Sequence, residues 1–394
     1  MRRPKFLFPI AVATLLAAPT LSFAHEGSPE TDLFDKNALS QPVEFVECTL
    51  ENGDTAQCAR TTTRYKPANL DIGPFCPATL EDAGGIWEWD GEVAGLYRVD
   101  GDFLKMLAGL GYKMYDDDGT VFTSDISKAE PTQDHTCISV SPDESVVITT
   151  LIPVSPVMAD TPTSLGVVGK VGMALNGVPI FSDAPSVLHT GHMPALDTCG
   201  GHIDPGGWYH WHATSTDIQT AFKTEDVDAV CALPQDAGAQ FGFAFDGFPI
   251  YGSLDSDHQP PTNLDACNGH IGMTKDFDAP IYHYHASTDF PNLPPCLVGV
   301  QAQDNFATTA QVGIGAHPPE GTDITRNDPP GGGGPRGMPP GFDSAAETLG
   351  VTGEKLMQVL QANGGPRLDF AKAATDLGVT EQALRDALPP PPNR

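Results

Sequence analysis

Two short stretches of the 394-residue chain carry side chains that could bind a metal. "YHWHA" contains His210 and His212, and "YHYHA" contains His283 and His285. Side chains two residues apart on a strand point to the same face, so each pair presents two imidazoles side by side. A third histidine, provided by a loop, would complete a three-imidazole metal site with a fourth position open to water or substrate.

Each histidine pair is preceded by a matching motif that supplies one more histidine. "LDTCGGH" ends at His202 and "LDACNGH" ends at His270, and further upstream "NGVPIF" matches "DGFPIY". Three motifs in the same order and at comparable spacing indicate two copies of one unit. The candidate metal ligands are therefore two triads, namely His202, His210 and His212 in the first copy and His270, His283 and His285 in the second.

The residue types restrict the metal without identifying it. Three neutral imidazoles with no thiolate suit both zinc and copper. The sequence also leaves open whether the two triads form two sites or converge on one at a pseudo-twofold axis.

Five further residues are candidate neighbours of the metal ligands. Asp197 and Asp265 recur in the LDxC motif, where a carboxylate could orient a ligating imidazole or could instead cap its own turn. The aromatic residues beside the histidines are Tyr209, Tyr282 and Tyr284. On a strand these tyrosines face away from the histidines.

The second copy, with "DGFPIYGS", "LDACNGH" and "YHYHASTDFPNLPPC", resembles the YHYH domain family of exported proteins, named for the tetrapeptide found here at residues 282–285. The resemblance covers roughly residues 145–300. The first copy departs from the name at Trp211. The resemblance implies export and carries no catalytic residues over, so metal binding is inferred from the spacing of the histidines alone.

The start of the chain predicts export. Three basic residues, an apolar run and the small-residue cleavage site "SFA" before residue 25 are typical of a signal peptide over residues 1–24. We therefore expect a periplasmic or extracellular protein without a membrane span. Cleavage would leave 18 Lys and Arg (21 minus 3) against 51 Asp and Glu, a net charge of −33 that disfavours binding to nucleic acid.

Eight cysteines in an exported chain predict four disulfides. In the segment 48–58, a three-residue loop Asn52-Gly53-Asp54 would place Cys48 directly opposite Cys58 in a hairpin. The equivalence of the two copies favours one bridge within each, although a swap between copies satisfies the same symmetry. The preferred pairing is Cys48–Cys58, Cys76–Cys137, Cys199–Cys231 and Cys267–Cys296.

The composition predicts a mainly β protein with five regions. Short apolar runs among Gly, Pro, Thr and Asp favour strands, with one helix expected in "VDGDFLKMLAGLGY". The expected regions are the signal peptide 1–24, a small α+β N-terminal region 25–140, the duplicated β core 141–315, a Pro/Gly-rich linker 316–342 and a short helical module 343–394.

The helical module contains a repeat of its own. "LGVT" at residues 349–352 recurs at residues 377–380, and each copy predicts a helix ended by Gly and a second helix begun by a Thr cap. We interpret this module as a packing unit or as a contact surface for a protein partner.

Three functions fit these patterns. The first is an exported metal-binding protein with one or two tris-histidine sites for copper or zinc. The second is a metal-dependent enzyme that uses the same site, either a hydrolase with a metal-activated water or a copper oxidase. The third is a cell-surface binding module with structural histidines. The sequence contains no GxSxG, HExxH, P-loop or GxGxxG motif, which disfavours common hydrolase and nucleotide-binding classes.

Overall fold

A computed structural model describes residues 34–166, 168–182, 184–214, 227, 231, 236–288, 292–317, 342–351, 355–356, 359–360 and 370–388. The predicted signal peptide lies outside the described residues, as does most of the predicted linker, from residue 318 to residue 341. Within the described segments, no helix is long and apolar enough to cross a membrane.

The protein is mainly β, as the sequence predicts. The first elements along the chain are β1 Glu44–Thr49, β2 Thr55–Arg64, β3 Ile86–Trp89, β4 Gly95–Arg98, α1 Gly101–Gly109, β5 Thr123–Ser124 and β6 Thr136–Ile138. The next are β7 Val147–Pro153, β8 Met158–Ser164, β9 Lys170–Ala174, β10 Pro179–Phe181, α2 Val187–Thr190, β11 His192–Met193, β12 Gly201–Ile203 and β13 Tyr209–Trp211. The last strands are β14 Gln240–Ala244, β15 Pro249–Tyr251, β16 Gly269–Gly272, β17 Ile281–His285, β18 Cys296–Gly299 and β19 Phe306–Thr308.

A four-stranded antiparallel sheet has the strand order β1-β2-β7-β19. Its strand β7 alternates in the expected way, with Ile148, Thr150 and Ile152 buried. Because β1 and β2 precede residue 141 and β7 and β19 follow it, this sheet joins strands of the predicted N-terminal region to strands of the predicted core. Buried residues from both regions pack in one hydrophobic cluster.

The hairpin of β1 and β2 differs in register from the prediction. Cys48 lies opposite Ala56, and Cys58 lies opposite Val46. The turn comes one residue earlier than expected: the amide of Leu50 donates to the carbonyl of Asp54, and the carbonyl of Leu50 accepts from the amide of Gly53, so residues 51–53 form the loop. The disulfide Cys48–Cys58 is nevertheless present and crosses the strand pair diagonally.

All four preferred disulfides are confirmed, and none joins one copy of the repeat to the other. The pairs are Cys48–Cys58, Cys76–Cys137, Cys199–Cys231 and Cys267–Cys296.

An eight-stranded sheet carries the histidines of the triads. Five of the six lie on its strands, and His212 follows directly after one of them. Its strand order is β12-β13-β10-β9-β14-β15-β17-β16. Read outward from the central antiparallel pair β9 and β14, the two halves have the same order and the same pairing: an antiparallel hairpin, a parallel neighbour and an antiparallel edge strand. This symmetric order agrees with a duplicated unit, which the sequence predicts from its motifs.

Glycine closes the central hairpin of each half. Gly177, between β9 and β10, has a φ of 80°, and Gly247, between β14 and β15, has a φ of 92°. A Cβ atom clashes with the backbone at positive φ, and glycine has no Cβ, so it adopts this conformation readily. The matching "NGVPIF" and "DGFPIY" motifs therefore encode the same tight turn.

The predicted helices are present in the part of the chain that the structure describes, and capping residues mark their ends; the helix predicted to begin at Thr352 lies largely outside the described residues. In α1, the Asp100 side chain accepts hydrogen bonds from the amides of Asp102 and Phe103, both at 3.0 Å. The described part of the C-terminal module contains α3 Phe342–Leu349, α4 Phe370–Leu377 and α5 Glu381–Ala387. Gly350 and Gly378 follow α3 and α4 with positive φ, and Thr380 caps α5.

Candidate metal centres

The first histidine triad converges at one end of the eight-stranded sheet. His202 on β12 lies directly opposite His210 on β13, and His212 follows immediately after β13. Their Nε2 atoms are 3.1 Å (His202 to His210), 3.0 Å (His210 to His212) and 3.1 Å (His212 to His202) apart. Ligand nitrogens bound about 2.0 Å from a tetrahedral ion lie about 3.3 Å from one another. The triangle therefore has nearly the size of one face of a metal coordination shell.

The second triad repeats this geometry at the other end of the sheet. His270 on β16 lies opposite His283 on β17, with 3.1 Å between their Nε2 atoms. The Nε2 atom of His285 is 3.3 Å from that of His270. In both halves the third histidine comes from a paired edge strand, whereas the sequence suggested a loop. Direct pairing across two strands holds its ring more firmly than a loop would.

The triads form two separate clusters. Five steps in the strand order separate β13 from β17. At about 4.8 Å per step, the two clusters lie roughly 24 Å apart along the sheet. This distance excludes a single site at the pseudo-twofold axis, one of the alternatives that the sequence left open.

Backbone carbonyls fix the orientation of the imidazoles. The Nδ1 atoms of His202, His270 and His285 lie 2.9, 2.9 and 2.8 Å from the carbonyl oxygens of Pro194, Thr262 and Gly252. His212 bonds the carbonyl of Ser182, which is equivalent to Gly252, and His283 bonds that of Ile281 at 3.0 Å. A carbonyl oxygen only accepts, so Nδ1 carries the proton and Nε2 presents a lone pair. Lone pairs about 3 Å apart repel each other unless a cation lies between them.

Burial keeps these imidazoles neutral. It lowers the pKa of His202 to about 4 and that of His283 to about 4. Burial, together with neighbouring imidazoles, holds the pKa of His210 and of His212 well below the ordinary value, and burial lowers the pKa of His285. Neutral imidazole is the form that binds a metal ion, so near pH 7 these five ligands need not release a proton first.

The LDxC aspartates hold the turn that delivers the third histidine. Asp197 accepts hydrogen bonds from the amides of Cys199 (3.0 Å) and Gly201 (3.2 Å). Asp265 accepts the equivalent bonds from Cys267 (2.8 Å) and Gly269 (3.1 Å). Of the two roles predicted for these aspartates, the contacts agree with capping of their own turn. Each carboxylate bonds backbone amides and a tyrosine, whereas the Nδ1 atoms of the histidines bond backbone carbonyls.

The same turn also connects to the histidine pair. Its left-handed position is Gly200 in the first half (φ 90°) and Asn268 in the second (φ 58°), two residue types that tolerate this conformation. The carbonyls of these two residues accept the amide hydrogens of His212 and His285, each at 2.7 Å. One short motif thus sets the position of all three histidines in its half.

The tyrosines point away from the triads, and their hydroxyls bond aspartate carboxylates. The hydroxyls of Tyr209 and Tyr282 donate to Asp197 and Asp265, both at 2.9 Å. The hydroxyl of Tyr284 donates to Asp246 at 2.5 Å and accepts from the amide of Val298. Burial and these carboxylates raise the pKa of all three phenols. They therefore support the strands that carry the histidines and do not contact the metal position.

The second cluster contains a carboxylate that the sequence reasoning missed. The Oδ1 atom of Asp255 is 3.5 Å from Nε2 of His270 and 3.4 Å from Nε2 of His285. Together with His283, these residues form a group of four that could hold a metal ion. At the offset of 70 residues that aligns Ser182 with Gly252, Asp255 corresponds to Pro185. Asp255 is therefore not part of any motif that the two copies share, and the shared motifs do not indicate it.

Fold and site together define a mainly β protein with two histidine clusters, each able to hold a metal ion, in the two halves of one sheet. A family model described as "YHYH protein" matches residues 149–262 and 255–299. The match includes both triads and every repeated motif, and it confirms the resemblance over that part of the chain. Neither a curated protein nor a solved structure matches the chain.

Proposed function

We propose that this protein is an exported metal-binding protein with two tris-histidine sites for copper or zinc. The observation that carries the proposal is the convergence of three imidazoles, twice: the three Nε2–Nε2 distances of the first triad are 3.0 to 3.1 Å, and in the second triad the Nε2 atom of His270 is 3.1 and 3.3 Å from those of His283 and His285. Hydrogen bonding alone does not account for this convergence. In each half at least two of the three imidazoles have their only proton directed at a backbone carbonyl.

The hydrogen bonds around the imidazoles are also those of a metal site. Nδ1 atoms bonded to backbone carbonyls are the usual way in which a protein fixes metal-binding histidines and raises their basicity as ligands. The same ligand set serves copper and zinc, so the structure supports the class of ion and not one member of it.

Export supports this function. Four disulfides are typical of proteins that fold in an oxidising compartment, so we propose a periplasmic or extracellular location. The role of the C-terminal helices as a contact surface for a protein partner, and the expected lack of nucleic-acid binding, stay predictions from the sequence.

The experiment measures metal content in the mature, untagged chain. After loading with copper or with zinc and removal of unbound metal, we expect two ions per chain by elemental analysis. The double variant H283A/H285A should retain one ion. The matched control is H258A, which removes an exposed histidine that bonds Asp236 and lies outside both clusters; it should retain two.

The alternative of structural histidines makes the opposite prediction. In that case neither metal binds stoichiometrically to the parent chain under replete conditions. The double variant would then differ from the parent in stability and not in metal content.

A further inference from the structure

The two halves of the sheet differ in what covers their edge strands. In the first half, Ile203 next to His202 is 5% exposed, and Leu196 at the start of the LDxC motif is 4% exposed. The equivalent residues of the second half, Ile271 and Leu264, are 72% and 37% exposed. Equivalent positions in a symmetric sheet thus have opposite environments.

The N-terminal region accounts for this difference. Ile86 exchanges two backbone hydrogen bonds with Leu196, at 2.7 and 3.1 Å, and the carbonyl of Tyr65 accepts the amide of Tyr209. The amide of Gly73 also donates to Asp197 at 3.1 Å. Through these contacts the N-terminal region covers the outer edge of the first half, around the turn that carries His202.

Aromatic rings enclose the first cluster further. The rings of Phe181 and Trp208 both lie 5.0 Å from the ring of His210. In the second cluster the ring of Tyr251 takes the position of Phe181, at 5.1 Å from His283. On the other side of the second cluster, the side chain of His270 is 13% exposed and that of Asp255 is 28% exposed. His202 of the first cluster is also partly exposed, so the additional opening of the second cluster lies at Asp255.

Asp255 also gives the second cluster a charge that suits a divalent ion. A carboxylate beside three neutral imidazoles offsets one of the two positive charges that the ion brings into a partly buried position. Zinc readily accepts a ligand set of imidazole nitrogens and a carboxylate oxygen. Because the carboxylate is partly exposed, it can also leave the ion and be hydrated when the ion departs.

We propose that the two sites differ in function: the second site, with Asp255 as its fourth ligand, exchanges a divalent cation with solvent, whereas the first site retains its ion as part of the fold. Exchange at the second site presupposes the metal binding proposed above. The difference between the two sites is inferred from their edge strands, since β12 of the first half is covered and β16 of the second half is exposed.

The test uses the full mature chain loaded with zinc alone. After removal of unbound zinc, a chromogenic chelator is added in excess and zinc release is followed over time. We expect two phases of one ion each, with rates that differ at least 10-fold. H270Q should remove the fast phase and leave the slow one, and H202Q should remove the slow phase.

Asp255 has a matched control two residues further along the chain. D255N should speed the fast phase by at least about 10-fold and leave the slow phase unchanged, because loss of a ligand costs no less than loss of a group that only orients a ligand, which costs about 10- to 100-fold in affinity. D257N makes the same charge change outside the cluster, at a carboxylate that accepts a hydrogen bond from the amide of Gln259. It should leave both phases unchanged.

Two results would overturn the proposal. One is release of both ions at the same rate; the other is a fast phase that H202Q removes and H270Q retains. Failure of the proposed function itself looks different, because the parent chain would then bind no stoichiometric zinc and show neither phase. Circular dichroism of each variant establishes that a lost phase does not reflect an unfolded chain.

Discussion

At the scale of single residues, burial lowers the pKa of imidazoles and raises the pKa of carboxyl groups. Burial lowers the pKa of His202 to about 4 and raises the pKa of Asp246 to about 6. Asp246 is fully buried and accepts hydrogen bonds from the hydroxyl of Tyr284 and the amides of Gly299 and Phe248. These three donors favour the carboxylate, but the loss of water around it has the larger effect.

Asp246 therefore predicts a pH dependence of stability with a defined sign. Its pKa is raised in the folded state to about 6 from 3.8, so the folded chain binds more protons between these values. The contribution is fully present below pH 4 and is lost as the pH rises through 6. With about 2 pKa units of difference, the parent should lose up to about 3 kcal/mol of unfolding free energy relative to D246N between pH 4 and pH 7.

Asparagine is a suitable replacement because Asn176 occupies the equivalent turn in the first half. The measurement is denaturant unfolding of parent and variant in parallel across this pH range, with EDTA present so that metal binding does not contribute. The histidines titrate in both proteins and cancel in the difference. A difference that is constant with pH would show that Asp246 stays ionised in the folded chain.

At the scale of elements, the edge strands β12 and β16 are equivalent in sequence and pairing but not in environment. Ile203 on β12 is 5% exposed and Ile271 on β16 is 72% exposed. I203A should lower the unfolding free energy by about 2 to 4 kcal/mol, since it removes a buried aliphatic side chain. I271A should change it by less than about 0.5 kcal/mol.

Both substitutions sit next to a triad histidine and shorten the same side chain, so each is the control for the other. Equilibrium unfolding of the two variants gives the comparison directly. Equal costs would mean that a partner covers β16 in solution as the N-terminal region covers β12.

The elements also show what the sequence could predict and what it could not. Paired motifs predicted the two triads, because tight turns and period-two alternation are local properties of the chain. The predicted register of the β1 and β2 hairpin was wrong by two residues, because the turn begins one residue earlier than expected, at Leu50. Asp255 was missed because it approaches His270 and His285 only through the fold, and the position aligned with it in the first copy is Pro185.

At the scale of the whole molecule, metal and fold should be coupled thermodynamically. Each triad joins an edge strand to the strand next to it, and unfolding separates these ligands. An ion that binds only the folded chain stabilises it by about 2.7 kcal/mol per site when its free concentration is 100 times the dissociation constant. For a chain of this size, that free energy corresponds to a rise in Tm of roughly 4 °C per site.

Thermal unfolding with excess EDTA, and then with increasing free zinc, measures this coupling. We expect Tm to rise with free zinc in the parent and to rise by about half as much in H283A/H285A, which retains the first triad alone. The increase should continue above the concentration that saturates the sites, because binding to the folded state acts by mass action. A Tm that does not change with free zinc would mean that the triads do not bind this ion in the folded chain, since binding confined to the folded state must stabilise it.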